Sequence, residues 1–365
     1  MRLDVVLPLG WLNLHENFVL LLTLISPSFI YRSFTASFAT YQTMASTQIF
    51  GPKSGLLPYA QLIRIDKPIG VVIIHFPYIV GSLYATCIPE TTASLQDIAK
   101  INLLLLCGTF LLRSWACAWN DIADRDLDKL VERCKQRPMA SGRLSVRSAC
   151  LFTGFLWFAW VVLMQSFIPS FAVHGIALTI LSGVYPFTKR FMAYTPVFLG
   201  VTFGWGVFVG FAATGIDPLL PQLPFFNQAY DVIVFGALLL FLYYTIWTVI
   251  FETVYAFQDL PDDTKAGINS MAVRHQFHIR ELLGALGVIQ VITLLFVGKI
   301  VGAGTLYYFG PPLFNVFMLL RMVTSIIFGS SEQCRWWFAH GPLMVGTVMV
   351  VSVIIEYLGR IGKLT

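Results

Sequence analysis

Two short acidic windows stand out in an otherwise apolar chain. The first, WNDIADRDLDKLVERCKQRPMASG, covers residues 119–142, and the second, YAFQDLPDDTKAG, covers 255–267. In the first, Asn120, Asp124 and Asp128 recur every four residues, and Asp121 lies three before Asp124. On a helix this spacing collects an amide and three carboxylates on one face and leaves Asp126 on the other side. In the second, Asp259 and Asp263 are four apart with Asp262 beside them. Pro261 disfavours helix at Leu260, so this pair is expected to straddle a helix end. Crowded carboxylates repel one another and stay ionised only beside positive charge. They suit hard cations, above all Mg²⁺, which is held by one or two carboxylates together with substrate phosphates. The expected chemistry is therefore a diphosphate gripped through Mg²⁺ between the two windows, with Asp121, Asp124, Asp128, Asp259 and Asp263 as metal ligands. Arg137, Lys189, Arg190 and Lys265 are the loop cations able to complete the cage, Arg by bidentate hydrogen bonds and Lys as a compact charge.

These windows need elements that bring them together. Of the 365 residues 57% are hydrophobic and only 12% are charged. A globular domain normally carries about a quarter charged residues, so the chain reads as all-α and membrane-embedded. A span of helix across a ~30 Å hydrocarbon core takes roughly 20 apolar residues. By that measure nine spans are expected, near 68–88, 101–119, 148–167, 170–187, 196–214, 232–255, 283–301, 303–328 and 338–358. The side that holds residues 50–67 then carries sixteen Lys and Arg against four on the other, which marks it as cytosolic, or matrix in a mitochondrion. Seven of the twelve aspartates fall in the two windows, both on that side.

Other features narrow the reading. The net charge of +5 is not clustered, so there is no nucleic-acid footprint. The six cysteines form no C-x-x-C pair and read as small buried hydrophobes without disulfides. His275 and His278 lie one turn apart in a basic, solvated stretch and are not read as metal ligands. Arg113 lies inside the second span, seven residues before Asn120 and on the same face. An ionisable residue at such depth is functional by default, here as an anchor for an acceptor carboxylate or a phosphate. Residues 1–50 form an N-terminal extension whose apolar run is interrupted by Pro27. It is compatible with a targeting segment, an interfacial helix, or an upstream extension ahead of Met44. Residues 51–365 form the membrane domain.

The chain resembles the UbiA-type membrane prenyltransferases. Five segments carry the resemblance in order between about residues 58 and 358. They are RIDKPIG (Arg64–Gly70); Arg113; the N-D-x-x-D-x-x-x-D motif of Asn120, Asp121, Asp124 and Asp128 with Arg137, Pro138 and Gly142; YPFTKR (Tyr185–Arg190); and the D-x-x-x-D motif of Asp259 and Asp263. The resemblance implies nine membrane helices around a central, lipid-open cavity capped by the aspartate motifs. It implies Mg²⁺-dependent transfer of a polyprenyl group from its diphosphate to an aromatic acceptor. Asn120, Arg137, Lys189 and Lys265 would contact diphosphate, and Arg113, Arg64, Tyr185 and Arg190 would serve substrate binding. Trp115, Trp119, Phe203, Trp205, Tyr243, Tyr244 and Trp247 are candidate cavity walls. VERCKQRPMASG and YAFQDLPDDTKAGINSMAVR most resemble fungal enzymes that farnesylate aromatic polyketides in meroterpenoid pathways, which implies an endomembrane. The 4-hydroxybenzoate enzymes of ubiquinone synthesis, in the mitochondrial inner membrane, share nearly all these motifs. A membrane terpene cyclase, which needs no acceptor, is the third reading.

Overall fold

The computed structural model describes residues 55–87, 94–131, 134–220, 228–265 and 267–364. The N-terminal extension of residues 1–50 lies outside them. The chain divides into two units between Lys67 and Pro68. In the first unit, α1 (Leu57–Leu62) opens with Pro58 in its first turn, where a missing N–H costs no hydrogen bond. The chain then turns through Arg64, a non-glycine residue at φ 58°.

Among the described residues of the second unit the regular elements are all helices. Its elements are α2 (Ile69–Thr86), α3 (Leu95–Ala123), α4 (Arg125–Asp128), α5 (Val146–Gln165), α6 (Phe171–Thr188), α7 (Thr195–Gly204), α8 (Gly206–Ala213) and α9 (Gln228–Ala256). Then follow α10 (Leu260–Lys265), α11 (Met271–His275), α12 (Ile279–Val301), α13 (Thr305–Phe309), α14 (Pro311–Ser325) and α15 (Ser331–Leu364). Among the described residues nine spans are long and apolar enough to cross a bilayer, α7–α8 and α13–α14 each making one. Their limits agree with the sequence reading, except that the second and ninth are longer: 95–123 against 101–119, and 331–360 against 338–358. The extra turns are polar, and a hydropathy ruler stops at the edge of the oil.

Local chemistry sets the helix ends. Ser94 and Ser145 each accept a backbone N–H from the first turn, at 3.2 Å from Asp97 and 3.1 Å from Ser148, and so start α3 and α5. α12 stops at Gly302, which takes the left-handed conformation at φ 60°. Each span packs on its chain neighbours, and α15 returns to α2, so the second unit closes into a ring in chain order. Buried tyrosines tie the ring where no water can satisfy a hydroxyl. Tyr84 donates to the Val297 carbonyl at 3.0 Å and Tyr307 to that of Leu294 at 3.1 Å. Arg360 donates to the carbonyls of Cys87 and Val301, at the ends of α2 and α12. All six cysteines are free.

The tightest crossing joins α2 and α8. A Cβ on Gly81 would overlap the Val207 carbonyl, and one on Gly210 would overlap the Tyr78 carbonyl and the Ser82 amide. Both obstacles are backbone, so neither can swing aside. Small residues allow such close approach in membranes, where dispersion drives helix association. Gly81→Ala and Gly210→Ala are each expected to destabilise the protein by about 1–3 kcal/mol. Gly154, with open space around it, is the control: Gly154→Ala is expected to be neutral or to stabilise by up to ~1 kcal/mol. Thermal unfolding of the detergent-solubilised variants checks both.

Candidate active site

The first window forms at the end of the second span. α3 runs to Ala123, Asp124 leaves helical geometry at φ −97° and ψ 4°, and α4 follows at once. The expected unbroken helical stripe is therefore interrupted at Asp124. The ladder nevertheless continues across the break, with Asp124 N donating to Asn120 O at 2.9 Å and Asp128 N to Asp124 O at 2.8 Å. The register survives, and Asp121, Asp124 and Asp128 are buried at 1%, 3% and 7% exposure. Asp126 is exposed and pairs with Lys129 at 2.7 Å and Arg125 at 3.3 Å. Hydrogen bonds from Lys129 and then Arg125 hold its carboxyl below the usual range.

Buried carboxylates of one sign need neutralising, and two cations reach them. Arg137 Nη1 donates to Asp121 Oδ1 at 3.2 Å and to Asp128 Oδ2 at 2.8 Å, bridging the two. Lys189, just after α6, donates to Asp124 Oδ2 at 3.3 Å. Asp124 Oδ1 is buried with no hydrogen-bond partner.

The second window follows the sixth span. α9 ends at Ala256, a turn carries the chain through Asp259, and α10 begins at Leu260. Pro261 thus sits in a first helical turn, where it is tolerated, and helix at Leu260 is not prevented. Asp259 precedes α10 and Asp263 lies within it, so the pair does straddle a helix end; Asp263 N donates to Asp259 O at 2.8 Å. Burial pushes the Asp263 carboxyl above the ordinary range, and Asp259 and Asp262 push the same way. A hydrogen bond from Ser270 and the charge of Lys189 oppose them. Lys189 therefore acts on both windows: it bonds to Asp124 and lies within electrostatic reach of Asp263. The Tyr185 hydroxyl lies within electrostatic reach of Glu252, Asp124 and Tyr255.

The remaining candidates are dispersed. Arg190 turns to the Ala123 carbonyl at 3.2 Å and lies over the Phe187 ring. Lys265 is exposed at the end of α10, and Asn120 is half-buried. Arg113 is buried at 7%, its guanidinium against the bare Cα of Gly70, where any Cβ would displace it. Arg64 belongs to the first unit. Tyr243, Tyr244 and Trp247 are fully buried, whereas Trp115 and Trp119 line a recess between α3, α5 and α6. Glu252 was not singled out from the sequence. Its signal was present: it is the one charged residue within 232–255.

Among the described residues no three carboxylate, imidazole or thiol side chains gather closely enough to hold a metal ion by themselves. Arg137 stands between two of the carboxylates. The donor set still fits Mg²⁺, because Asp124 Oδ1 is a buried oxygen without a partner and Mg²⁺ takes only one or two carboxylates when phosphate oxygens supply the rest. A carboxyl raised by burial stabilises the folded state in its protonated form. The stability that Asp263 confers on the metal-free protein is thus expected to be present at acid pH, below the ordinary carboxylate range, and to be lost as pH rises through its raised pKa. Asp263→Asn is expected to remove this pH dependence and raise the melting temperature of the metal-free protein at neutral pH. Melting curves against pH, in a chelator, measure both.

Comparison with known proteins agrees with this geometry. The profile of the UbiA prenyltransferase family matches residues 76–346. The prenyltransferase ascA of Acremonium egyptiacum is 34% identical over 301 residues, covering 80% of this chain and 85% of its own. The 4-hydroxybenzoate octaprenyltransferase of Shewanella halifaxensis is 30% identical over 305 residues, covering 82% of this chain and 96% of its own. A solved structure of a UbiA homolog from Archaeoglobus fulgidus, bound to GPP and Mg²⁺, shares the fold with a TM-score of 0.53 at 20% identity, covering 82% of this chain and 99% of its own. This chain therefore belongs to the UbiA prenyltransferase family, as a multi-pass membrane enzyme that transfers prenyl groups.

Proposed function

We propose that the protein transfers a polyprenyl group, farnesyl in the favoured reading, from its diphosphate to an aromatic polyketide or phenolic acid in meroterpenoid biosynthesis. The reading rests on Lys189 at the end of α6, which bonds to Asp124 of the first window and whose charge bears on Asp263 of the second. Such a site, rich in carboxylates yet threaded by cations, is suited to a ligand that is itself anionic and metal-borne. Residues 51–365 form the catalytic domain behind the extension of residues 1–50. The protein resides in an ER-like endomembrane with the aspartates on the cytosolic side.

Asp121, Asp124, Asp128, Asp259 and Asp263 would hold Mg²⁺, which, when bound, stabilises charge developing on the diphosphate. Lys189 and Arg137 are preorganised cations that give the leaving diphosphate a stable place and cost no reorganisation during the reaction. Asn120, Lys265 and Arg190 support the same group. Tyr185, Arg113 and Arg64 orient the diphosphate or the carboxylate of the acceptor. In the reaction the allylic C–O bond breaks and the diphosphate departs with the electron pair. An electron-rich ring carbon bonds to the allylic carbon, and the ring then loses its proton. The surrounding apolar helices exclude water, which would otherwise capture the allylic cation.

A second reading is favoured by one observation, the 30% identity to the S. halifaxensis enzyme over 96% of its length. In that reading the acceptor is 4-hydroxybenzoate and the membrane is the mitochondrial inner membrane, with the aspartates facing the matrix.

Membranes containing the protein, supplied with Mg²⁺, C10 to C30 prenyl diphosphates and a panel of phenolic acids, are expected to form a prenylated phenol detectable by mass. Asp121→Ala and Asp263→Ala are each expected to lower its rate by about 10²-fold or more while the folded protein persists. Near-normal turnover by either variant contradicts the metal assignment. Product from farnesyl diphosphate without a phenol identifies a cyclase instead.

A further inference from the structure

A recess lies on the other side of the helix that carries the first window. Trp115, Trp119 and Ile122 recur at i, i+4 and i+7 on α3, away from the stripe of Asp121, Asp124 and Asp128. They floor a recess of about 400 Å³ between α5 and α6. That volume lies within the ~300–1,000 Å³ of sites that take small organic ligands. Its flanks are lipid-exposed, with Phe158 on α5 and Ile176 and Ile180 on α6 all more than half exposed.

The lining is not that of a plain acyl groove. Two of its indole N–H groups are occupied: Trp119 donates to the Gly183 carbonyl at 2.9 Å and Trp157 to the Thr179 hydroxyl at 3.0 Å. Their rings are thus left as apolar walls. Thr153 lines the same recess at 4% exposure, and its hydroxyl has no hydrogen-bond partner. It lies seven residues into α5, roughly 10 Å along the helix, where water is scarce. Gly154 and Gly183 also line the recess, and a Cβ at either meets nothing within 4 Å. The space is therefore held open by the absence of side chains.

We propose that this recess binds an amphiphile that joins a hydroxylated aromatic ring to an isoprenoid tail, the product class of the reaction proposed above, on which the ligand's identity rests. The ring lies among the three indoles, and its hydroxyl pairs with that of Thr153 once rotation about χ1 turns Thr153 Oγ1 from its shielded position towards the recess. The tail runs out along the exposed apolar faces of α5 and α6. A phospholipid acyl chain brings no group to satisfy the buried hydroxyl, and no ring to stack on the indoles.

The test uses the full-length protein in phospholipid nanodiscs and, as photoprobe, a farnesylated phenol bearing a diazirine. Label is expected on the α5 and α6 peptides that contain Thr153 and Gly183, and unlabelled farnesylated phenol is expected to displace it. Gly154→Leu, which fills the recess without meeting backbone, is expected to reduce the label about tenfold. Thr153→Val, close to isosteric, is expected to reduce it several-fold. Asp121→Ala is expected to leave it unchanged, which separates this site from turnover: loss of labelling with catalysis intact defeats the recess alone, and labelling without catalysis defeats only the proposed reaction. Label elsewhere, label indifferent to Gly154→Leu and Thr153→Val, or equal displacement by a non-aromatic sterol overturns the proposal.

Discussion

Like-charged carboxylates cannot be gathered and buried at a membrane surface unless cations are built in among them, and the site is organised around that constraint. Asp121 and Asp128 are bridged by Arg137. Asp124 is held by Lys189, which also acts on Asp263 from across the site. The candidate ligand aspartates of the two windows are more than 130 residues apart in sequence. The ring of spans packs α6 against α3, and Lys189 at its end bonds to Asp124 while its charge bears on Asp263. A half-neutralised acidic cluster of this kind is costly to hold in isolation and becomes favourable when metal and diphosphate complete the charge balance. Strain of that sort is accepted at functional sites and offset by packing elsewhere.

The packing that offsets it is of membrane type. Glycines at the crossing of α2 and α8 bring backbones together. The hydroxyls of Tyr84 and Tyr307, with no water to turn to, find helix carbonyls. Arg360 ties the ends of two helices. These contacts hold the spans of the second unit together.

Much of this was legible in the sequence because its causes are local. Length and apolarity reveal a span, so the nine spans could be placed to within a few residues except where polar turns extend α3 and α15. The four-residue spacing identified the buried carboxylates and left Asp126 outside. Other features depend on tertiary contacts that no spacing encodes. The break at Asp124 is a matter of two dihedral angles. Lys189 and Arg190 are adjacent in sequence, yet one turns to a carboxylate and the other to a backbone carbonyl. Trp115 and Trp119 read as walls of a central cavity, but they floor a recess behind the motif helix, because the face a residue takes on a buried helix depends on which neighbours pack there. Glu252 carried a usable signal that the aspartate motifs overshadowed.

The central claim is that the two windows build one metal–diphosphate site. Electron paramagnetic resonance of bound Mn²⁺, titrated in the presence of inorganic diphosphate, tests it most directly. Bound Mn²⁺ is expected in the unmodified protein and is expected to fall sharply in Asp124→Asn and in Asp263→Asn alike. Binding that survives unchanged when either window is altered would contradict it.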